Sequence, residues 1–289
     1  LMLMEEGRLL LDDNVSQYLP AFDNPQSKDI TIYQLLTHTS GLPRNDPISE
    51  IARERRGPPS VSPSLRSGAD GHGRVGPSIE PGTEFFYSDR NARVLGALIE
   101  EISDMPAEEF IQKRILDPLQ MNDSFFNHTR PDDQRRSRVA AAYRGEPGNW
   151  DKEFENSDLP LRQFLSPSWG LLSTGMDYAK FLSMMLNGGR FGTGQLLSPL
   201  TVKLATSPHS EYVYDAASLS ALRNQLDAWT FYGLHIRLTP SGAFGHGGAQ
   251  GTLALADPQQ DLIFIYLTQS RGHRTRWRFV NLVYAAIVE

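Results

Sequence analysis

Apolar positions follow two different periods along the chain. Leu1, Met2, Leu3 and Met4 open a short helical run that Gly7 stops. Ile30-Thr31-Ile32 leads into Tyr33-Gln34-Leu35-Leu36, a second helical stripe closed by Gly41 and Pro43. Ala92, Leu95, Gly96, Leu98, Ile99 and Ile102 then recur at helical spacing and predict a buried helix. Further helices are expected from Phe110 to Met121 and from Met176 to Leu186, the latter closed by Asn187-Gly188-Gly189. Near the end the period shortens. Residues 230–238 alternate, residues 251–256 are short and apolar, and residues 261–268 read as a buried strand, with Asp257-Pro258-Gln259-Gln260 as the intervening turn. An apolar-faced helix carrying Val280, Leu282 and Val283 closes the chain and is expected to cover the sheet.

This pattern predicts an α+β protein: a mainly helical region over residues 1–225, then an antiparallel sheet and C-terminal helix over 226–289, together one domain. Residues 44–81 lose all apolar periodicity and are rich in Pro, Gly, Ser and Arg. They are expected to form a mobile loop, either a lid or a disordered segment.

Composition narrows the classes of function. With 289 residues and 39% hydrophobic content the chain can bury a substantial core. A formal net charge of -6 gives no reason to expect a nucleic-acid partner, and the Arg-rich stretches at 53–56, 135–138 and 271–278 read as solvated surface. The chain has no cysteine, so neither disulfides nor thiolate chemistry are available. No apolar run is long enough to span a membrane. The histidines outside the motifs below show no metal-ligand spacing, and no metal or other cofactor is expected. Composition leaves open cytoplasm or periplasm, and the oligomeric state.

Three short motifs carry the candidate chemistry: Tyr87-Ser88-Asp89 at the head of the buried helix, His246-Gly247-Gly248 beside a strand, and residues 170–174 at a loop-to-helix junction. His38-Thr39-Ser40-Gly41-Leu42 precedes them and Asp257-Pro258 follows. In this order they resemble the serine β-lactamase and penicillin-binding-protein superfamily, in particular its class C-like branch of esterases and peptidases. The resemblance implies a β-lactamase/transpeptidase-like fold, with an antiparallel sheet flanked by helices and a mainly helical subdomain. It implies a serine hydrolase that cleaves esters, amides or peptides through an acyl-serine intermediate.

By that resemblance Tyr87 is the phenol that shuttles a proton between nucleophile and leaving group. Asp89 occupies the place of a usual Asn, and a carboxylate there cannot donate as an amide does. His246 stands where β-lactamases usually carry Lys. As a donor to a bound acyl oxygen it is a weaker anchor for a carboxylate, which tilts the expected substrates toward esters and neutral amides. Gly247 and Gly248 admit substrate to the strand edge, and the Ala249 N–H is one oxyanion donor. His38 reads instead as a hydrogen-bonded structural residue, and Ser173 and Thr174 as a helix cap.

The family's Ser-x-x-Lys pair is not among these residues. The five lysines are Lys28, Lys113, Lys152, Lys180 and Lys203, and Pro25, Phe110, Asn149, Asp177 and Leu200 stand three places before them. No Gly-x-Ser-x-Gly elbow is present either. The resemblance places the missing helix just ahead of Leu1, so a truncated enzyme without its first strands is expected, inactive as it stands. An unpaired sheet edge and a helix stub exposing Leu and Met are expected with it. The alternative is a non-catalytic ligand- or partner-binding relative.

Overall fold

Gly7 ends the first helix, Met2–Glu5, by adopting φ +70°. Its N–H donates to Met4 O and the Arg8 N–H to Leu3 O, the paired bonds that close a helix through a left-handed residue. The computed structural model describes residues 1–43, 64–126, 133–146, 148–154, 167–168, 170–211, 229–270 and 275–287. Leu3 is buried, and Met2 and Met4 pack against the same apolar cluster. The expected exposure of this helix is therefore not found, because Leu9, Leu35, Leu98 and Phe110 belong to the cluster that covers it.

The chain divides into two compact units. One comprises Leu1–Pro118, Phe125–Pro131 and Leu161–Leu172; the other comprises Leu119–Ser124, Asp132–Pro160 and Ser173–Glu289. The expected boundary between residues 225 and 226 lies outside the described residues.

In the first unit, helix α1 (Ile32–Leu36) starts with a reciprocal cap. Gln34 N–H donates to Thr31 Oγ1, and Thr31 N–H donates to Gln34 Oε1. Helix α2 (Leu65–Val75) falls inside the expected mobile loop, whose residues 44–63 lie outside those described. Its four glycine and serine residues obscure the helical spacing in the sequence. Ser64 caps this helix by accepting the Ser67 N–H, and Leu65, Ala69 and His72 recur on one buried face. Helix α3 (Asp89–Ser103) is the buried helix anticipated from its periodicity, with Ala92, Val94, Ala97, Leu98 and Ile102 in the core.

The second unit is built on helix α4 (Gly175–Leu186) and a six-stranded antiparallel sheet. Its strands in chain order are β1 (Ser210–Glu211), β2 (Phe231–Tyr232), β3 (Arg237–Leu238), β4 (Phe244–Gly247), β5 (Leu253–Asp257) and β6 (Leu262–Tyr266). Each strand pairs with its neighbour in sequence, so the sheet is a meander in which β6 is an edge among the described residues. Helix α5 (Thr275–Ala285) covers one face as expected: Val280 is buried with Leu253, Leu255 and Phe264, and Val283 packs on the same cluster. Leu282 departs from the expected apolar face and is exposed. Among the described residues no helix is long and apolar enough to cross a membrane.

Candidate active site

Tyr87 is the last residue but one before α3, and three tethers from His38 fix it. The Phe86 N–H donates to His38 O at 2.7 Å, and the Ser88 N–H donates to His38 Nδ1 at 3.2 Å. Between these two bonds the imidazole lies against the Tyr87 ring, with centroids 4.3 Å apart and planes 30° from parallel. His38 itself is buried at φ +56° in the turn after α1. A backbone N–H can only donate, so Nδ1 accepts and the neutral ring carries its proton on Nε2. Asn91 Nδ2 adds a second donor to Nδ1 at 2.7 Å, while Ser40 Oγ donates to Asn91 Oδ1 at 2.6 Å. His38 is thus the hydrogen-bonded structural residue expected, with a contact to Tyr87 that its sequence position does not reveal.

Ser88 caps α3. Its Oγ accepts the Arg90 N–H at 3.3 Å and donates to Pro43 O at 2.9 Å. Asp89 opens the helix with its side chain toward solvent. Partial desolvation still raises its carboxyl above the usual value, against the attraction of Arg93 one turn on.

In the second unit His246 sits on β4, paired with Ala254 of β5. Its Nδ1 lies 2.7 Å from Gly247 O, and a carbonyl can only accept, so Nδ1 carries the proton and Nε2 presents a lone pair. The donor role expected of this imidazole toward an acyl oxygen does not fit that tautomer. Desolvation lowers the His246 pKa to about 3, and Arg237, His235 and Arg276 push the same way, against the Gly247 bond. Although the side chain is only half-buried by accessible surface, the flanking positive charges alone demand that direction.

Both guanidiniums are in place for this. Arg237 lies on β3 directly opposite Gly245, and an Arg276 Nη1 lies 3.2 Å from where a Cβ on Gly247 would stand. Desolvation and then repulsion from Arg237 lower the Arg276 pKa. Arg276 therefore departs from the solvated-surface reading of residues 271–278, of which 271–274 lie outside those described. The sequence reading missed Arg237 entirely, since its relation to His246 exists only through cross-strand register. Asn91 was also missed. Its signal was a polar residue four before Leu95 and seven before Leu98, on the helix's apolar stripe.

Beyond His246 the chain turns sharply. Gly251 N–H donates to Gly248 O and Gly248 N–H donates to Thr252 O, with Ala249 exposed at the corner. A Cβ on Gly248 would meet Thr252 Oγ1 at 2.2 Å, so Gly248 serves the turn's own packing. The loop-to-helix junction is a cap, as expected: Thr174 Oγ1 accepts the Asp177 N–H. Buried Asp177 accepts from the Asp123 N–H, Ser124 Oγ and Lys180 Nζ, and these bonds hold its carboxyl below its usual value against desolvation.

An antiparallel meander covered by a helix, joined in one chain to a mainly helical unit, is the framework of the transpeptidase-like class of proteins. The Beta-lactamase family model matches residues 1–286, and the chain belongs to that family. A relative in Escherichia coli (strain K12), described as "Putative D-alanyl-D-alanine carboxypeptidase", is 25% identical over 290 residues and aligns with 92% of this chain. The chain spans 64% of that protein's length. Among solved structures, the octameric penicillin-binding protein homologue from Pyrococcus abyssi aligns with 98% of this chain and 62% of its own, at TM-score 0.74 and 24% identity. EstCE1, a hydrolase with promiscuous acyltransferase activity, aligns with 98% of this chain and 80% of its own, at TM-score 0.75 and 21% identity. The β-lactamase/transpeptidase-like α+β fold is thereby established.

Proposed function

We propose that these residues supply the proton carrier and acyl pocket of a serine hydrolase that acts on amide, peptide or ester bonds through an acyl-serine. A serine hydroxyl adds to the acyl carbonyl while its proton passes to Tyr87 in its phenolate form, which gives that proton to the leaving group and is left as phenolate; water then releases the acyl group along the reverse path, its proton passing through Tyr87 to the serine oxygen. In this reading Gly247, Gly248 and Ala249 border the acyl group, with the Ala249 N–H as one oxyanion donor, and Asp89 is the family's second polar position after Tyr87.

The observation that carries this reading is the pair of arginines at the strand bearing His246. Arg237, opposite Gly245, and Arg276, beside Gly247, bring positive charge to that strand, and this supports a substrate bearing a carboxylate. The balance expected from His246 by itself, toward esters and neutral amides, shifts toward amides and peptides with a free carboxylate. That shift agrees with the carboxypeptidase description of the E. coli relative.

The Ser-x-x-Lys pair this chemistry needs is not among the 289 residues, so the chain by itself is proposed to be inert. The same observation favours a second reading, a non-catalytic protein that keeps the cleft for binding. The test compares the purified 289-residue chain with the product of the complete open reading frame, on nitrophenyl esters, a D-Ala-D-Ala peptide and nitrocefin. The hydrolase reading expects turnover by the second protein only, lost on Tyr87→Phe. Turnover by the 289-residue chain overturns the inert assignment, and saturable peptide binding without turnover by either protein replaces the hydrolase with the binder.

A further inference from the structure

We propose that His38 is a positioning residue for Tyr87, holding the phenol ring in one plane while its own ring is locked by Ser88 and Asn91. The inference rests on the reading of Tyr87 as the proton carrier. One residue grips three consecutive positions. His38 O holds the Phe86 N–H, His38 Nδ1 holds the Ser88 N–H, and the imidazole face lies on the intervening Tyr87 ring at 4.3 Å. The two backbone bonds fix where the Tyr87 Cα sits, and the stacked face restricts the torsion that swings the phenol.

The imidazole is in turn held from behind. Leu42 N–H donates to Ser40 Oγ, Ser40 Oγ donates to Asn91 Oδ1, and Asn91 Nδ2 donates to His38 Nδ1. Ser40, Asn91, Ser88 and His38 are all buried, at 0%, 0%, 0% and 1% exposure, so water cannot substitute for a missing partner. Rotating the imidazole off Tyr87 would withdraw its lone pair from both donors at once. The left-handed φ of +56° directs the carbonyl and ring of His38 to the same segment. A simple buried cap needs only the Nδ1 bond, whereas this arrangement also spends the ring face on the residue whose orientation proton transfer depends on.

The test uses the 289-residue chain labelled with 15N-histidine and 13C-tyrosine. In the wild type, His38 Nδ1 should give the signal of an unprotonated nitrogen, and the Tyr87 ring should flip more slowly than that of half-exposed Tyr143. His38→Asn keeps a residue tolerant of positive φ and an oxygen acceptor near the Ser88 N–H, but removes the stacked face. It should speed Tyr87 ring flips about tenfold with the fold intact. In the complete open-reading-frame product it should lower kcat about tenfold at unchanged KM, whereas His38→Phe should restore part of kcat if it folds. A protonated Nδ1 in the wild type overturns the proposal, as do unchanged ring flips and kcat in folded His38→Asn. If His38→Asn does not fold, the wild-type nitrogen signal and flip rate decide. A Tyr87→Phe enzyme with unaltered kcat would sink the proton-carrier reading, and leaves the ring-flip result to be judged separately.

Discussion

The imidazole of His38 lies on the phenol ring of Tyr87 at 4.3 Å although 49 positions separate the two residues in the chain. The buried amide of Asn91 maintains this contact by donating to His38 Nδ1 while it accepts from Ser40. Asn91→Leu would leave the Ser40 hydroxyl without its acceptor and remove one of the two donors to His38. A loss of about 2–3 kcal/mol is expected, because buried polar groups deprived of partners cannot turn to water. Urea unfolding followed by circular dichroism measures it, and a change below about 0.5 kcal/mol would show that the network is not integral to the fold.

Asp177 should govern part of the acid stability of the second unit. Its carboxyl sits below 3.8 in the folded chain, so the unfolded chain takes up a proton first as pH falls. The Asp177 contribution is then complete above 3.8 and is lost as pH falls through the lower folded value. Asp177→Asn should be less stable than the wild type at pH 7, and the gap should narrow below pH 4. At pH 7, Asp177→Ala should cost about 3 kcal/mol by abandoning the Lys180 ammonium and the Asp123 N–H. A gap independent of pH would remove the carboxylate from this account.

His246 has the opposite chemistry but the same sign with pH. The unfolded chain protonates this imidazole near 6.5 and the folded chain only near 3, so stability declines as pH drops through that window. Nuclear magnetic resonance titration should find His246 neutral at pH 5, with its proton on Nδ1. Arg237→Gln should move its titration back toward 6.5, because it deletes the largest repulsive charge. An unmoved titration in a folded variant would mean that Arg237 does not set the potential at His246.

Two glycines at positive φ should respond very differently to alanine. Gly41, at φ +72°, would place a Cβ 1.9 Å from Ile79 O, whereas Gly7, at φ +70°, has nothing within 4 Å. Gly7→Ala should cost about 1 kcal/mol through backbone strain alone. Gly41→Ala must also displace backbone, and should cost about 3 kcal/mol or more, or prevent folding. Equal melting temperatures for the two variants would contradict the close approach at Gly41.

Local chemistry wrote much of the fold into the chain. Gly7 and Asn187-Gly188-Gly189 stop helices where left-handed residues let the last carbonyls find partners, as Gly189 N–H does with Met184 O. The turn at Asp257 and the apolar runs on either side of it foretold the β5–β6 hairpin and its covering helix, whereas residues 230–238, expected as one alternating stretch, form the two short strands β2 and β3, paired across a turn. Helix α2 was the failure. Its Gly and Ser content outweighed the spacing of Leu65, Ala69 and His72, a face that becomes apolar cover only once a core is there to receive it.

By itself the sequence determined the kinds of element, their stops, the order of the Tyr87 and His246 motifs, and the absence of a Ser-x-x-Lys pair, since each depends on residues a few positions apart. Tertiary structure alone decided that His38 stacks on Tyr87 and that Asn91 locks it. The strand register and helix docking likewise set Arg237 and Arg276 at the His246 strand, and tertiary contacts gave His38 its tautomer. Those relations join residues from eight to more than fifty positions apart through contacts no local pattern encodes, and which nitrogen of His38 carries a proton depends on whether the group facing it donates or accepts.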